Sequence, residues 1–450
     1  MSNARIHPTV KELAAHFREK GKQAYLVGGA VRDLARGMGA KDWDIATDAR
    51  PEEVMGMFRR VIPTGIKHGT VTILYKGLSL ETTTFRTESG YADGRHPDQV
   101  EYAATIEEDL SRRDFTMNAL AQDILTGRIV DPWGGAADIR DRVIRCVGDP
   151  AERFSEDGLR PLRAVRFAAQ LGFRIEDRTL AAIGAALPTT ARIAKERIRD
   201  ELDKMLGSRK PSIGLRLMEQ TGLLGLILPE LAACRGIDQK GFHRFDVLDH
   251  SFFSCDGAPG DRLILRWAAL LHDTGKALTM AVDGDGCITF YRHEEHSARI
   301  VRSAMNRLRY SKEIVESVAH LVLMHMFHYE PSWNDAAVRR LIVRVGKGNL
   351  EDLLELRRAD SYGMGGIEAP PDLNASLAGR IAGILEQENA LTLKDLAING
   401  NDLAALGISK GPRMGIILQE LFQTILDDPA MNDKDALSAL ALKLNRRYSD

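Results

Sequence analysis

Tyr25-Leu26-Val27-Gly28-Gly29-Ala30-Val31-Arg32-Asp33, followed nine residues after Asp33 by Asp42-Trp43-Asp44-Ile45, is the stretch that decides the fold. An apolar run leads into a glycine pair, a fixed positive charge and two carboxylates one residue apart. A strand alternates its side chains with period two, so a strand over 42–46 would present Asp42 and Asp44 from one face. Two carboxylates side by side repel unless a cation joins them, and hard oxygen ligands suit Mg²⁺. Gly28 and Gly29 let backbone N–H groups come close to an anion, and Arg32 can grip it. Alone, a Gly-Gly pair reads as a turn and an Asp-x-Asp as a solvated loop. In this order, after an apolar run, they point to metal-assisted phosphoryl or nucleotidyl transfer.

The 450 residues suggest two to four domains. Hydrophobic content of 44% and charged content of 28% are those of a soluble globular protein. Cys146, Cys234, Cys255 and Cys287 are scattered without a C-x-x-C pair, which indicates neither a zinc ribbon nor a disulfide framework. No segment reads as a signal peptide or a membrane span, so the expected place is a reducing cytoplasm. A net charge of −2 argues against indiscriminate coating of nucleic acid. Local basic faces remain open: 151–220 holds fourteen Lys/Arg against ten Asp/Glu, net +4, whereas 381–450 holds seven against ten, net −3. A backbone-binding face belongs more naturally to the first region.

The convincing strands fall in the first 145 residues, at 23–27, 42–46, 70–75, 78–85 and 100–102, with helices at 9–20, 32–37 and 52–60. Beyond 158 the periodicity is helical (180–187, 196–206, 213–220, 264–271, 297–308, 337–345), save for a brief strand at 287–291. A Gly-, Met- and Pro-rich linker at 363–371 precedes a helical tail. The expected architecture is α+β: a head over 1–145 of mixed sheet plus helices, then an all-α neck over 146–210, a body over 211–365 and a tail over 372–450.

The pattern G-G-x-V-R-D followed by D-x-D resembles the nucleotidyltransferase superfamily, in its class II tRNA nucleotidyltransferase and poly(A) polymerase branch. The resemblance is strong over 24–206 and implies a polymerase-β-like head. It makes Asp42 and Asp44 the ligands of Mg²⁺, with Glu81 on a neighbouring strand as a third catalytic carboxylate. Glu81 reads equally well as a solvent-facing strand residue paired with a base. Arg112-Arg113-Asp114-Phe115-Thr116-Met117-Asn118-Ala119 resembles the family's R-R-D-F-T-x-N-A motif. Asp114 is expected at a helix N-terminus. Arg113, with Gly28, Gly29 and Arg32, would position the nucleotide.

Glu156-Asp157-Gly158-Leu159-Arg160-Pro161-Leu162-Arg163-Ala164-Val165-Arg166-Phe167 supplies the base-reading candidates. Spaced three apart, Asp157, Arg160, Arg163 and Arg166 would share one side of a helix. Leu159, Leu162, Val165 and Ala169 would form its apolar stripe. Periodicity alone allows an ordinary amphipathic helix with a basic face. Cytosine and adenine both present an exocyclic amine beside a ring-nitrogen acceptor on the pairing edge, which a carboxylate next to a guanidinium matches. Uracil and guanine present the reverse and leave a charge unpaired, at about 1–3 kcal/mol. The resemblance places that role on Asp157 and Arg160, and suggests phosphate or base contacts for Arg163 and Arg166. Gly158 stands where the family often has Pro, with Pro161 three positions on. Residues 86–97 read as a mobile loop like the one that full CCA-adding enzymes keep.

Downstream, His250, then His272-Asp273 in L-L-H-D-T-G-K, then Asp360, look like the HD phosphohydrolase superfamily, over about 247–361. Imidazoles and carboxylates from separate helices can hold a second divalent metal and activate water. His296, His320 and His325 are further candidate ligands.

Together these features imply a CCA-adding tRNA nucleotidyltransferase that adds C, C and A from CTP and ATP to the tRNA 3′ end, without a nucleic-acid template. Neck and tail would grip the acceptor stem by shape and phosphates. Two alternatives share these motifs: a poly(A) polymerase or partial CC- or A-adding enzyme, and an HD phosphohydrolase whose head binds RNA.

Overall fold

The computed structural model describes residues 6–40, 42–89, 99–239, 244–368, 370, 373–387 and 391–448. The chain divides into two compact units, Met1–Ala232 with Arg307–Tyr310, and Ala233–Asn306 with Ser311–Asp450. That division falls inside the segment 211–365 expected to form the body.

The first unit is built on a seven-stranded sheet. Its order is Val61–Gly65, Thr70–Tyr75, Leu78–Thr84, Ile45–Thr47, Ala24–Val27, Ala121–Asp123 and Ile129–Val130. Every neighbouring pair is antiparallel except Ile45–Thr47 beside Leu78–Thr84, which run parallel with Ile45 opposite Thr82. Tyr25, Val27, Ala46 and Phe85 join Ile106, Leu110, Ala119 and Val147 in one buried cluster. The expected helices appear as Pro8–Glu19, Gly29–Ala35 and Pro51–Met57.

Four sequence-based expectations are corrected here. Strand pairing begins at Ile45, so Asp42 and Asp44 precede the strand; Asp44 is tied in only through its carbonyl, which accepts from the Val27 N–H at 3.1 Å. The expected loop over 86–97 begins as a strand, Arg86–Ser89, paired with Gln99–Tyr102, and its residues 90–97 lie outside the described residues. Asp114 does not open an α-helix: only a short 3-10 turn, Thr116–Asn118, follows it. Residues 156–167 are not one helix. Pro150–Glu156 ends at Asp157, and Arg160–Leu171 starts anew with Pro161 in its first turn. The chain passes too close to its neighbour here for a side chain: a Cβ on Gly158 would lie 2.7 Å from the Thr189 carbonyl, and the Thr190 hydroxyl donates to the Gly158 carbonyl at 2.8 Å. The stripe Leu159, Leu162, Val165 and Ala169 is buried as expected.

The described residues of the second unit are helical, with one hairpin, Met280–Val282 against Ile288–Phe290. Val247–Gly257 and Leu350–Gly365 approach each other almost backbone to backbone. A Cβ on Gly257 would stand 2.7 Å from the Tyr362 Cβ, and one on Gly363 would stand 2.0 Å from the Ser254 hydroxyl and 2.9 Å from the His250 ring. Gly363, expected to open a linker, therefore lies within a helix that Gly366 ends in the left-handed region. The tail contains the helices Ala375–Glu386, Gly400–Ala405, Pro412–Asp427 and Lys434–Arg447. Among the described residues no helix is long and apolar enough to cross a membrane.

Candidate functional site

In the first unit a cavity of about 440 Å³ opens over the ends of the strands that carry Val27, Ile45 and Glu81. The parallel register explains which acids enter it. Ile45 opposite Thr82 turns both side chains into the core, so the residues one step earlier, Asp44 and Glu81, point to the other face and line the cavity. Burial first, then the charge of Glu81, push the Asp44 carboxyl above its ordinary value; Arg113 opposes this, and Asp42 adds a smaller push. Asp42 thus acts on Asp44 electrostatically but does not itself line the cavity. An all-oxygen cluster in which neighbouring carboxylates disfavour the charge on Asp44 fits a hard divalent cation.

Seven arginines (32, 86, 112, 113, 160, 163 and 197) and four carboxylates (Asp44, Glu81, Asp114 and Asp157) line the same cavity, an excess of three positive charges. Gly28 adopts φ +65°, which L side chains resist, and a Cβ there would stand 3.0 Å from the Arg113 guanidinium and 3.9 Å from the Asp44 carboxylate. The glycine lets these opposite charges converge beside the turn.

Two buried aspartates hold the arginines in place. Asp109, on the helix Ile106–Ser111, accepts from Arg112 at 2.8 and 3.0 Å and from Arg113 at 3.3 Å. Burial works against its charge, but the two guanidiniums outweigh that and hold its carboxyl low. Asp114 accepts from Arg163 at 2.6 and 2.8 Å and from the Asn118 amide at 3.1 Å, while Arg32 donates to the Asn118 carbonyl oxygen at 2.8 Å. Burial again opposes ionisation, yet Arg163 and Asn118 bring the Asp114 carboxyl down to about 2. The R-R-D-F-T-x-N-A motif is therefore a frame that sets the positions of Arg163 and Arg32, a role the sequence reading did not assign to Asp114 or Asn118.

The base-reading candidates are placed unevenly. Asp157 and Arg160 both line the cavity, linked by the Arg160 N–H donating to the Asp157 carbonyl at 3.0 Å, while their side chains take other partners. Asp157 accepts from Arg197 at 2.9 and 3.3 Å, and Arg160 donates to Glu156 and to the Arg112 carbonyl. Arg163 lines the cavity. Arg166 does not: it is buried against Glu201 at 2.6 Å, with its guanidinium 3.9 Å from the centre of the Phe167 ring. Arg197, which the sequence reading passed over, is the cavity's contact with Asp157.

In the second unit His250, His272, Asp273 and Asp360 converge. The His250 and His272 Nε2 atoms lie 3.1 Å apart, and Asp360 Oδ1 stands 3.1 and 3.5 Å from them. Burial works against charge on both sides, but mutual attraction holds Asp273 and Asp360 well below the usual carboxylate range and lifts His272 to about 10. Such buried mixed nitrogen and oxygen donors fit a divalent cation of borderline softness. His325 joins the cluster near Asp273 at 3.7 Å, whereas His320 turns its Nε2 to the Val345 carbonyl at 2.7 Å and His296 belongs to neither donor group. His293 was missed. Its signal was present: His293, Ser297, Val301 and Met305 form the buried stripe of their helix, and His296 is off that stripe.

Comparison with known proteins gives three family matches: a "Poly A polymerase head domain" over 24–145, a "Probable RNA and SrmB- binding site of polymerase A" over 172–235, and an "HD domain" over 242–364. The CCA-adding enzyme of Levilactobacillus brevis is 34% identical over 423 residues, covering 94% of each chain. That of Lactiplantibacillus plantarum is 36% identical over 436 residues, covering 95% of this chain and 94% of the relative. Among solved structures, the Bacillus stearothermophilus CCA-adding enzyme in complex with CTP matches with a TM-score of 0.73 and 30% identity over 99% of both chains.

Proposed function

Since this chain belongs to the CCA-adding enzymes, we propose that it builds the tRNA 3′ end, adding C, C and A from CTP and ATP in the cavity of the first unit. The observation that carries this reading is the convergence of Asp44, Glu81 and seven arginines on one cavity.

Asp42, Asp44 and Glu81 would hold Mg²⁺, an assignment their oxygen-only chemistry supports. The cation supplies charge neutralisation at the triphosphate and activation of the attacking 3′-hydroxyl. Around it, the Gly28-Gly29 turn leaves room for phosphate oxygens, and Arg32 and Arg113 grip them, each held by a neutral or acidic partner behind it. The tRNA 3′-hydroxyl would enter from the carboxylate side.

Asp157 and Arg160 would read the base. A carboxylate offers about four lone-pair sites, and Asp157 spends three on Arg197 and the Leu159 N–H, leaving one for an exocyclic amine. Arg160 spends its donors on Arg153, Glu156 and Arg112 and keeps N–H groups for a ring nitrogen. Cytosine and adenine satisfy both, whereas uracil and guanine strand one charge. Because the chain itself reads the base, no template strand is needed. A cytoplasmic location would accord with these substrates. In the second unit, His250, His272, Asp273 and Asp360 would hold a second divalent cation.

The test uses a tRNA transcript ending at the discriminator base. CTP alone should extend it by CC, and CTP with ATP should complete CCA, as read by sequencing of the 3′ ends. Long poly(A) tracts, or addition independent of CTP, would refute the proposal.

A further inference from the structure

Among the described residues Phe167 is the only aromatic side chain that lines the cavity of the first unit, and guanidiniums crowd its ring. The central carbon of the Arg166 guanidinium lies 3.9 Å from the ring centroid, that of Arg32 5.4 Å and that of Arg163 5.5 Å. All of them fall within the roughly 6 Å over which an aromatic face attracts a cation. Arg163 and Phe167 are four apart on the helix Arg160–Leu171, a spacing that makes side chains neighbours, and Arg32 comes from the helix Gly29–Ala35. The fully buried Phe115 ring stands edge-on to Phe167, 5.9 Å away with the planes at 87°, and so fixes the plane of the ring.

Each guanidinium also has a carboxylate: Asp33 for Arg32 at 3.0 Å, Asp114 for Arg163 at 2.6 Å and Glu201 for Arg166 at 2.6 Å. Crowding still tells on Arg166, where burial disfavours the charge, Glu201 opposes that and Arg163 adds to it. The quadrupole of a ring attracts a cation without accepting a conventional hydrogen bond from it. Arg32 commits three N–H groups to Asp33 and Asn118 and keeps two of its five for a ligand. With only 6% of its surface exposed, Phe167 has no open face on which a base could stack.

We propose that Phe167 is a positioning residue for the incoming nucleotide: its ring seats Arg32 and Arg163 together at the cavity, and Arg32 carries the effect to the triphosphate. This rests on the reading of the cavity as the site of nucleotidyl transfer. Arg166, which does not line the cavity, holds the ring instead of a ligand. The triphosphate is common to CTP and ATP, so a weaker ring should affect both nucleotides alike. Base choice, which falls to Asp157 and Arg160, should not change.

The test replaces Phe167 in the full chain by 4-fluoro-, 3,5-difluoro- and 3,4,5-trifluorophenylalanine, introduced by amber suppression. Fluorine withdraws negative charge from the ring face in steps and alters its shape little. KM for CTP and for ATP on a tRNA transcript should climb in equal steps to roughly tenfold at the third fluorine. Over the same series kcat should stay within about twofold, with discrimination against UTP and the thermal midpoint unchanged. A flat KM would overturn the proposal. A rise for one nucleotide alone would also overturn it, making the ring a base contact, and a rise that only tracks a falling thermal midpoint would reduce the ring to packing. Calorimetric titration with CTP runs in parallel. An unsubstituted chain that adds no nucleotide would fault the proposed activity, and the affinity series would still decide the role of the ring.

Discussion

Replacing Asp114 by asparagine removes a charge and almost no volume, so it isolates what the ionised carboxylate contributes to the head. Its carboxyl is held at about 2 against an ordinary 3.8, because Arg163 and Asn118 outweigh the cost of burial. At about 1.4 kcal/mol per pH unit, that difference corresponds to about 2 kcal/mol of folding stability. A depressed folded-state value gives stability that is complete at neutral pH, fades as pH falls through about 4, and is about half gone by pH 3. Asp114→Asn should therefore cost about 2 kcal/mol at pH 7 and about 1 kcal/mol at pH 3. The neutral cost rises toward roughly 3 kcal/mol if the Arg163 guanidinium stays buried without its partner. Urea-dependent hydrogen exchange, read by mass spectrometry on peptides from Arg160–Leu171, follows this unit separately from the other. Combined with Arg163→Met the costs should not add, since each change removes the same ion pair. An equal cost at pH 7 and pH 3, or none at pH 7, would refute the reasoning. Loss of Asp114 should also loosen Asn118 and Arg32, raising KM for CTP and ATP more than it lowers kcat.

Three further outcomes are expected. Asp44→Asn should reduce nucleotide addition by roughly a hundredfold or more in a single-turnover assay, with the fold intact by circular dichroism. Gly28→Ala forces an L residue to φ +65° and sets a methyl 3.0 Å from the Arg113 guanidinium; it should cost about 1 kcal/mol of stability and weaken triphosphate binding, measured by CTP titration. Asp157→Ala or Arg160→Ala should raise UTP misincorporation relative to CTP by roughly tenfold or more, measured by competitive incorporation, and unchanged discrimination would remove them from base reading.

The sequence announced the sheet where strands alternate cleanly: Thr70–Tyr75 is observed as expected, and Leu78–Thr84 within one residue. Val61–Gly65 was overlooked because Pro63 and Gly65 read as turn residues, but this strand lies at the sheet edge, where a missing N–H costs no ladder bond. The pairing of Asp44 with Glu81 was only half legible. Each acid stood out, but their neighbourhood follows from the Ile45–Thr82 register, which no local pattern encodes. The split at Gly158 was hidden for a similar reason, since the Thr189 backbone that forbids a side chain there lies thirty-one residues further on. Arg166 looked like its neighbours at helical spacing, but Asp114 draws Arg163 to the cavity while Arg166 lies against Glu201.

Where Gly257 and Gly363 let two helices touch, the gauge of the histidine cluster is set by bare α-carbons and not by the ligands themselves. One added methyl would wedge the helix bearing His250 away from the helix bearing Asp360, and a cation held between them would tolerate little slack. Any metal chemistry at that centre would thus be lost with every candidate ligand still in place, so an inventory of those residues alone would misjudge which relatives retain it.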